Sequence, residues 1–520
     1  MNTSGSSSQG RRGRKPPAES GAELIVTTTG GQVRGLTAPG GYVFRGLPYA
    51  APPVGDLRWR PPLQPADWQG VRDATVFGPR SPQPQNPTLT GPASEDCLYL
   101  NVYTPTLGSH GEGGLPVLVW IHGGRFTLGA GGDYDGTKLA AHGVVVVTIN
   151  HRLGALGFLA HPALASEPGG PSGNYGLMDQ RAALRWVQGN IRPFGGDPDN
   201  VTVAGQSTGG LSVLAHMTSR GSDGLFHRAI VQSGVGPWAL AGKSLAAAEA
   251  EGEAFAKRAG SPDQTAESLR RLAVADLVSN FPGAAVPPVV DGVVLEEPIG
   301  VSLAAGRFAR VPVLNGTVHD EERLFIDAEL AVTEAVVRVP EPVTADSYQR
   351  VIASVLDVSA GRAAAIAAEY PLEAYPSPTV AFSALVGDAN FASPAVQLDL
   401  WTSKWVPTFG YEFNDDNPPL RYDPPMIDTP MATHKSDWPY LFDLPDAPQQ
   451  EPFSAVQQAL SACMQAAWAS FAASGNPSTS DLPWPAFDAN DMQVMSLVPP
   501  RPQVETDFAA RHHHAFWAAA

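Results

Sequence analysis

Gly205-Gln206-Ser207-Thr208-Gly209 constrains this chain more than any other stretch. It follows Val201-Thr202-Val203-Ala204, an apolar run that predicts a buried strand, and precedes residues 210–217, which predict a helix. A Gly-x-Ser-x-Gly set between a strand and a helix is a nucleophile elbow. The turn is tight and strained, so small residues must flank the serine where backbones approach. The strain lifts the Ser207 hydroxyl clear of the sheet. The helix that begins there aims free N–H groups at any oxygen that turns negative nearby. Alone, the pattern also fits a glycine-rich βα turn without chemistry; the flanking strand and helix favour the elbow.

The rest of the chain has the matching rhythm. Apolar β-type runs recur at 115–121, 144–149, 201–204, 229–232, 311–314 and 409–413. Helical patterns at 175–191, 245–259 and 456–473 lie between or after them. Strands alternating with helices predict one parallel-dominated α/β sheet. Stretches 240–300 and 330–400 read as helical insertions, which in such folds cap the ligand-binding edge of the sheet. No internal repeat or linker divides the body. The expected organisation is a disordered N-terminal tail over 1–21 and a single domain over 22–520.

Bulk properties exclude several functions. The 520 residues are 43% hydrophobic, enough for a large core, and only 16% charged. A net charge of −17 argues against nucleic acid and against anionic membrane surfaces as partners. No apolar run approaches membrane-span length. Arg11, Arg12 and Arg14 are followed by Lys15-Pro16-Pro17 rather than the apolar stretch a twin-arginine signal needs. Cys97 and Cys463 make neither a disulfide framework nor a metal site, so two free thiols are expected. These features favour the cytoplasm over secretion.

A nucleophilic serine needs a base, an acid behind the base, and donors for an oxyanion. In the α/β-hydrolase order these follow as Ser, then Asp or Glu, then His. Candidates occur in that order. His319-Asp320-Glu321-Glu322 follows the 311–314 strand, which puts carboxylates at a strand's C-terminal end, and His434 comes later. Among the twelve histidines, His122 sits beside a small-residue loop, and His512, His513 and His514 form a tail cluster with a weak metal reading.

The chain resembles the type-B carboxylesterases, the family that includes the cholinesterases. The resemblance is carried by Phe44-Arg45-Gly46-Leu47-Pro48-Tyr49-Ala50, Glu95-Asp96-Cys97-Leu98-Tyr99-Leu100-Asn101-Val102 and Trp120-Ile121-His122-Gly123-Gly124. It continues in Asn150-His151-Arg152-Leu153-Gly154, Asn174-Tyr175-Gly176-Leu177-Met178-Asp179-Gln180, Phe194-Gly195-Gly196-Asp197-Pro198, the elbow, Gln232-Ser233-Gly234 and the His434 region. It implies an α/β-hydrolase fold, a large mostly parallel sheet with helical insertions forming a gorge or cap. It implies hydrolysis of small to medium carboxyl esters through an acyl-enzyme, without metal or organic cofactor. An amidase or carbamate hydrolase using the same groups is the alternative. A silent adhesion protein of this fold is weaker, because such members lack the serine or histidine. A monomer or weak homo-oligomer is expected.

Residue by residue, the resemblance implies Ser207 as nucleophile, Glu321 as acid and His434 as base. Asp320 and Glu322 compete with Glu321, and otherwise read as ordinary loop charge. The backbone N–H groups of Gly124, Arg125 and Thr208 fall where the family places its oxyanion donors. Ser233 resembles a serine that supports the acid, and Pro237-Trp238 the acyl-pocket wall. Ser81 stands where the family has the partner of the Cys97 equivalent, so the loop between is expected to be held by packing alone.

Four departures matter. Arg125 replaces a small residue; its side chain either lies on the loop surface or with a local acid, or lines the pocket mouth and attracts a substrate carboxylate. Gln206 replaces a glutamate beside the nucleophile, which predicts no strong preference for choline-type cationic esters. Thr208 replaces an alanine and narrows the acyl side. Glu322 replaces a glycine and brings a second carboxylate near the first.

Overall fold

In the computed structural model, residues 24–84, 91–108, 113–167, 169–170, 172–281, 286–326, 339–419, 431–445 and 451–519 are described. The expected tail over 1–21 lies outside them. The main sheet has eleven strands: β1 (Leu36–Ala38), β2 (Gly41–Pro48), β3 (Tyr99–Thr104), β4 (Leu115–Ile121), β5 (Val145–Ile149), β6 (Gly196–Gln206), β7 (Arg228–Gln232), β8 (Val313–Val318), β9 (Thr408–Phe413), β10 (Val494–Leu497) and β11 (Gln503–Glu505). Their spatial order is β11-β10-β9-β8-β7-β6-β4-β5-β3-β2-β1. Strands β4 to β10 pair in parallel with one another, and both ends of the sheet turn antiparallel.

Strands β4 and β5 are almost wholly apolar because helices cover both sheet faces. Along β4, Val117, Val119 and Ile121 enter one core, while Leu118 and Trp120 enter the other. The first core is closed by α1 (Tyr175–Asn190) through Leu177, Ala183, Leu184 and Val187. The second is closed by the long late helix, Ala455–Ser474, through Leu460, Met464, Ala467, Trp468 and Phe471. That helix begins at a capping box, Ser454 with Gln457, and stops at Gly475, whose φ of 79° ends it.

Sequence periodicity finds the parallel strands and misses the antiparallel rims. The strand expected at 311–314 runs instead over Val313–Val318, because Pro312 has no N–H to give the ladder. Its extra length carries the chain to Glu321. The insertions are mainly helical, with α2 (Thr208–Thr218) of the elbow followed later by α3 (Pro378–Gly387) and α4 (Ser393–Thr402). Between α3 and α4, Asp388–Ala392 forms one π-helical turn.

Cys97 is buried and Cys463 half-buried, both unpaired. The loop before Cys97 is not held by packing alone. Ser81 Oγ accepts the Leu153 N–H at 3.1 Å, and Gln83 exchanges two hydrogen bonds with Gly129, at 3.0 and 2.9 Å. Polar residues thus hold the loop where the expectation had packing only.

Candidate active site

Every candidate lies at the carboxyl edge of the parallel strands, where βα loops converge. Ser207 follows β6 directly and caps α2 with φ 58° and ψ −127°. A Cβ on Gly209 would lie 2.0 Å from the Ile121 carbonyl oxygen, so the elbow's closing position admits only glycine. Gly123 is equally confined: a Cβ there would meet Ser207 Cβ at 2.9 Å. The loop after β4 therefore lies directly against the serine.

That loop carries Gly124 and Arg125. Gly124 has φ 115°, and Arg125 and Phe126 both have φ 60°, so three successive residues leave the normal region. The Phe126 N–H donates to Thr208 Oγ1 at 3.4 Å, which lashes the loop to the elbow. An alanine at 208 could not make that bond. Thr208 opens α2, so its N–H has no intrahelical acceptor. His122 is buried, stacks on His151 at 4.7 Å and lies 2.8 Å from the Gly123 oxygen; burial lowers its pKa to about 4.

Glu321 and His434 meet in the interior, 2% and 1% exposed. His434 Nδ1 lies 2.5 Å from Glu321 Oε2, and the Val318 N–H donates to Glu321 Oε1 at 3.0 Å. The Asp320 N–H donates to the Ala432 oxygen at 2.9 Å, joining the acid's loop to the histidine's. Phe325 and Phe391 pack on the imidazole with centroids 5.0 and 5.4 Å away. With Nδ1–H donated to Glu321, Nε2 is an acceptor, and the Gln206 amide nitrogen lies 3.0 Å from it. The Ser207 hydroxyl itself makes no hydrogen bond among the described residues. Gln206, the residue before Ser207, is thus the group that stands on His434 Nε2.

Asp320 and Glu322 do not reach His434's ring nitrogens. Asp320 Oδ2 takes His319 Nδ1 at 2.9 Å. Glu322 is not ordinary loop charge: it is buried, and Asn390 Nδ2 donates to its Oε1 at 2.8 Å. Ser233 departs from its expected role. Its backbone is left-handed, with φ 47°, and its buried Oγ has no hydrogen-bond partner, so Glu321 is held by Val318 and His434 instead. Trp238 stands on the short helix Pro237–Ala241 and is 41% exposed.

Asp437 was not singled out from sequence, although it stands three residues after His434. It is buried and accepts from Gln232 Nε2 at 2.7 Å, while Trp468 Nε1 donates to Gln232 Oε1 at 3.0 Å. Burial pushes its carboxyl up to about 6. This chain of bonds ties the histidine loop to β7 and the late helix.

His512, the first of the tail histidines, is held between two carboxylates. His512 Nδ1 lies 2.5 Å from Asp388 Oδ1 and Nε2 2.7 Å from Glu412 Oε1. Among the described residues, no group of three or more His, Cys, Asp or Glu could hold a metal ion.

The sequence model of the carboxylesterase family matches residues 22–517. The chain belongs to the carboxylesterase family. The para-nitrobenzyl esterase of Bacillus subtilis is 36% identical over 498 residues, covering 91% of this chain and 94% of its own. The fumonisin B1 esterase of Sphingopyxis macrogoltabida is 36% identical over 487 residues, covering 90% and 85%. A solved thermophilic PNB esterase superposes with a TM-score of 0.79 at 34% identity, covering 95% of this chain and all (100%) of that one. This carboxylesterase therefore has the α/β-hydrolase fold and hydrolyses esters. No single helix among its described residues is long and apolar enough to cross a membrane.

Proposed function

We propose that this carboxylesterase cleaves small to medium carboxyl esters through Ser207, His434 and Glu321, by way of an acyl-enzyme. The observation that carries the reading is the buried 2.5 Å contact between Glu321 and His434 beneath a serine elbow. Glu321 fixes the tautomer that leaves Nε2 bare, and stabilises the imidazolium that forms. On substrate binding the Gln206 amide gives way, and Nε2 takes the Ser207 proton as Oγ attacks the carbonyl carbon. The oxyanion is received by the N–H groups of Gly124, Arg125 and Thr208. One such donor typically contributes about 10²–10³ in turnover. The imidazolium then protonates the departing alkoxide, and water, deprotonated by Nε2, releases the acid.

The reading extends to Trp238 as part of the acyl-side wall and to the Arg125 side chain as an attraction for a substrate carboxylate at the pocket mouth. A panel of neutral and acidic p-nitrophenyl esters, run on wild type and Ser207→Ala, tests it. Activity should vanish in the variant, and an organophosphate should label Ser207. A label on another side chain, or full activity in Ser207→Ala, would overturn it.

A further inference from the structure

Glu322 follows the acid directly and is one of the departures seen in sequence. Its side chain is 2% exposed. Oε1 accepts from Asn390 Nδ2 at 2.8 Å, and Oε2 is buried with no hydrogen-bond partner. A buried carboxylate with one free oxygen is costly unless it is protonated or faces a positive charge.

Asn390 reaches Glu322 from the π-helical turn Asp388–Ala392. The next residue of that turn, Phe391, packs on His434 at 5.4 Å. The turn is fixed from behind, because Asp388 takes Tyr370 Oη at 2.7 Å and His512 at 2.5 Å. So one rigid turn touches both the second carboxyl and the imidazole. π-turns of this kind recur at functional sites.

We propose that Glu322 is a positioning residue that acts through charge: held next to Glu321 by Asn390, from the same turn whose Phe391 packs on His434, its carboxyl sets how strong a base His434 is. The inference rests on the reading of Ser207, His434 and Glu321 given above.

The electrostatics agree with the geometry. Burial raises the carboxyl to about 7; the Asn390 hydrogen bond and His434 pull it down, and Glu321 pushes it up. The ionisable groups acting on it are thus Glu321 on its own loop and His434 on the loop after β9. The π-turn offers only the neutral Asn390 amide, since Asp388 is committed to Tyr370 and His512. Arg323, the following residue, is directed to Asp320, 3.8 Å away.

The sign follows. Glu321 and the buried Asp437 both act on His434; an ionised Glu322 adds a further negative charge beside them, and the imidazole holds its proton more tightly. Ionisation therefore moves the acid limb of the rate profile upward and makes Nε2 a stronger base on the plateau.

The test is kcat/KM against pH on a neutral p-nitrophenyl ester for wild type, Glu322→Gln and Asn390→Leu. In Glu322→Gln the acid limb should move to lower pH by about half to one unit, and the alkaline plateau should fall several-fold. Asn390→Leu removes the bond that favours the ionised form. It should follow Glu322→Gln near neutrality and return to wild type at high pH, which keeps the test open if Glu322→Gln does not fold. Acid limbs that superpose on wild type in the folded variants would overturn the proposal, whatever the plateau does. Ser207→Ala, run beside them, tests the underlying reading separately, because it reports whether turnover needs the serine at all.

Discussion

Gln206 and His434 share a hydrogen bond at 3.0 Å, and it occupies Nε2, the ring nitrogen proposed above to take the serine proton. The family's glutamate could not donate there unless protonated; an amide can. If His434 is the base proposed above, the resting enzyme holds it on the elbow's own second residue. Gln206→Glu should place a negative charge against the imidazole and raise the acid limb of kcat/KM by about one pH unit. The same variant should favour a choline ester over its neutral carbon isostere, whereas wild type should treat the two alike. Clear preference for the choline ester in wild type would refute this account of the elbow.

Glu321 is buried and shared between Val318 and His434. Glu321→Gln keeps size and packing but offers Nδ1 an amide that can hold the wrong tautomer. By analogy with other serine hydrolases, kcat should fall by about 10⁴ with an unchanged far-UV spectrum. A loss below tenfold would mean that another group supports the histidine.

Arg125 has its backbone at φ 60° in the loop pressed against Ser207. If its guanidinium draws a substrate carboxylate to the pocket mouth, Arg125→Ala should lose about ten times more kcat/KM on a carboxylate-bearing ester than on a neutral one. Equal losses on the two esters would leave Arg125 with its backbone role alone.

His512 is clasped between Asp388 and Glu412, which raise its pKa to about 10 against the opposing effect of burial. Folding thus favours its protonated form. That stabilisation is complete below pH 6.5, declines above it and is gone beyond about pH 10. Glu412 is depressed, mainly by His512 against burial, so its contribution is complete above the ordinary glutamate value of 4.5 and fades in acid. His512→Gln should lower stability by about 3–5 kcal/mol in urea titrations between those limits. The gap from wild type should close as pH rises towards 10. A gap that persists unchanged at pH 10 would show that packing, not charge, is what the histidine supplies.

Much of this was legible in the residues. The 115–121 and 144–149 runs are β-branched and apolar on both faces, which only a covered parallel strand needs, and the elbow's glycines report how closely the backbones pass. Motif order left Asp320, Glu321 and Glu322 open; the resemblance to the family singled out Glu321, whose Oε2 lies 2.5 Å from His434 Nδ1. What escaped was contact across distant chain. Nothing local marks Glu322 as buried; its surroundings come from Asn390, far along the sequence. Gln206 looks like a lost charge until His434 is set beside it. Ser233 shows the converse, since the motif fits and the hydroxyl is left without a partner. The tail histidines look like a cluster, yet Asp388 and Glu412 make one of them an ion pair.

Five of the ten described non-glycine residues with positive φ stand around this site: Arg125, Phe126, Ser207, Ser233 and Lys435. Each forgoes on the order of 1 kcal/mol of conformational ease. A programme to raise the melting temperature would therefore find its first gains next to the active centre. Lys435→Gly, at φ 82°, is the mildest place to begin. The same relaxation would loosen the turn that aims His434, so heat tolerance and turnover should trade against each other here sooner than anywhere in the sheet.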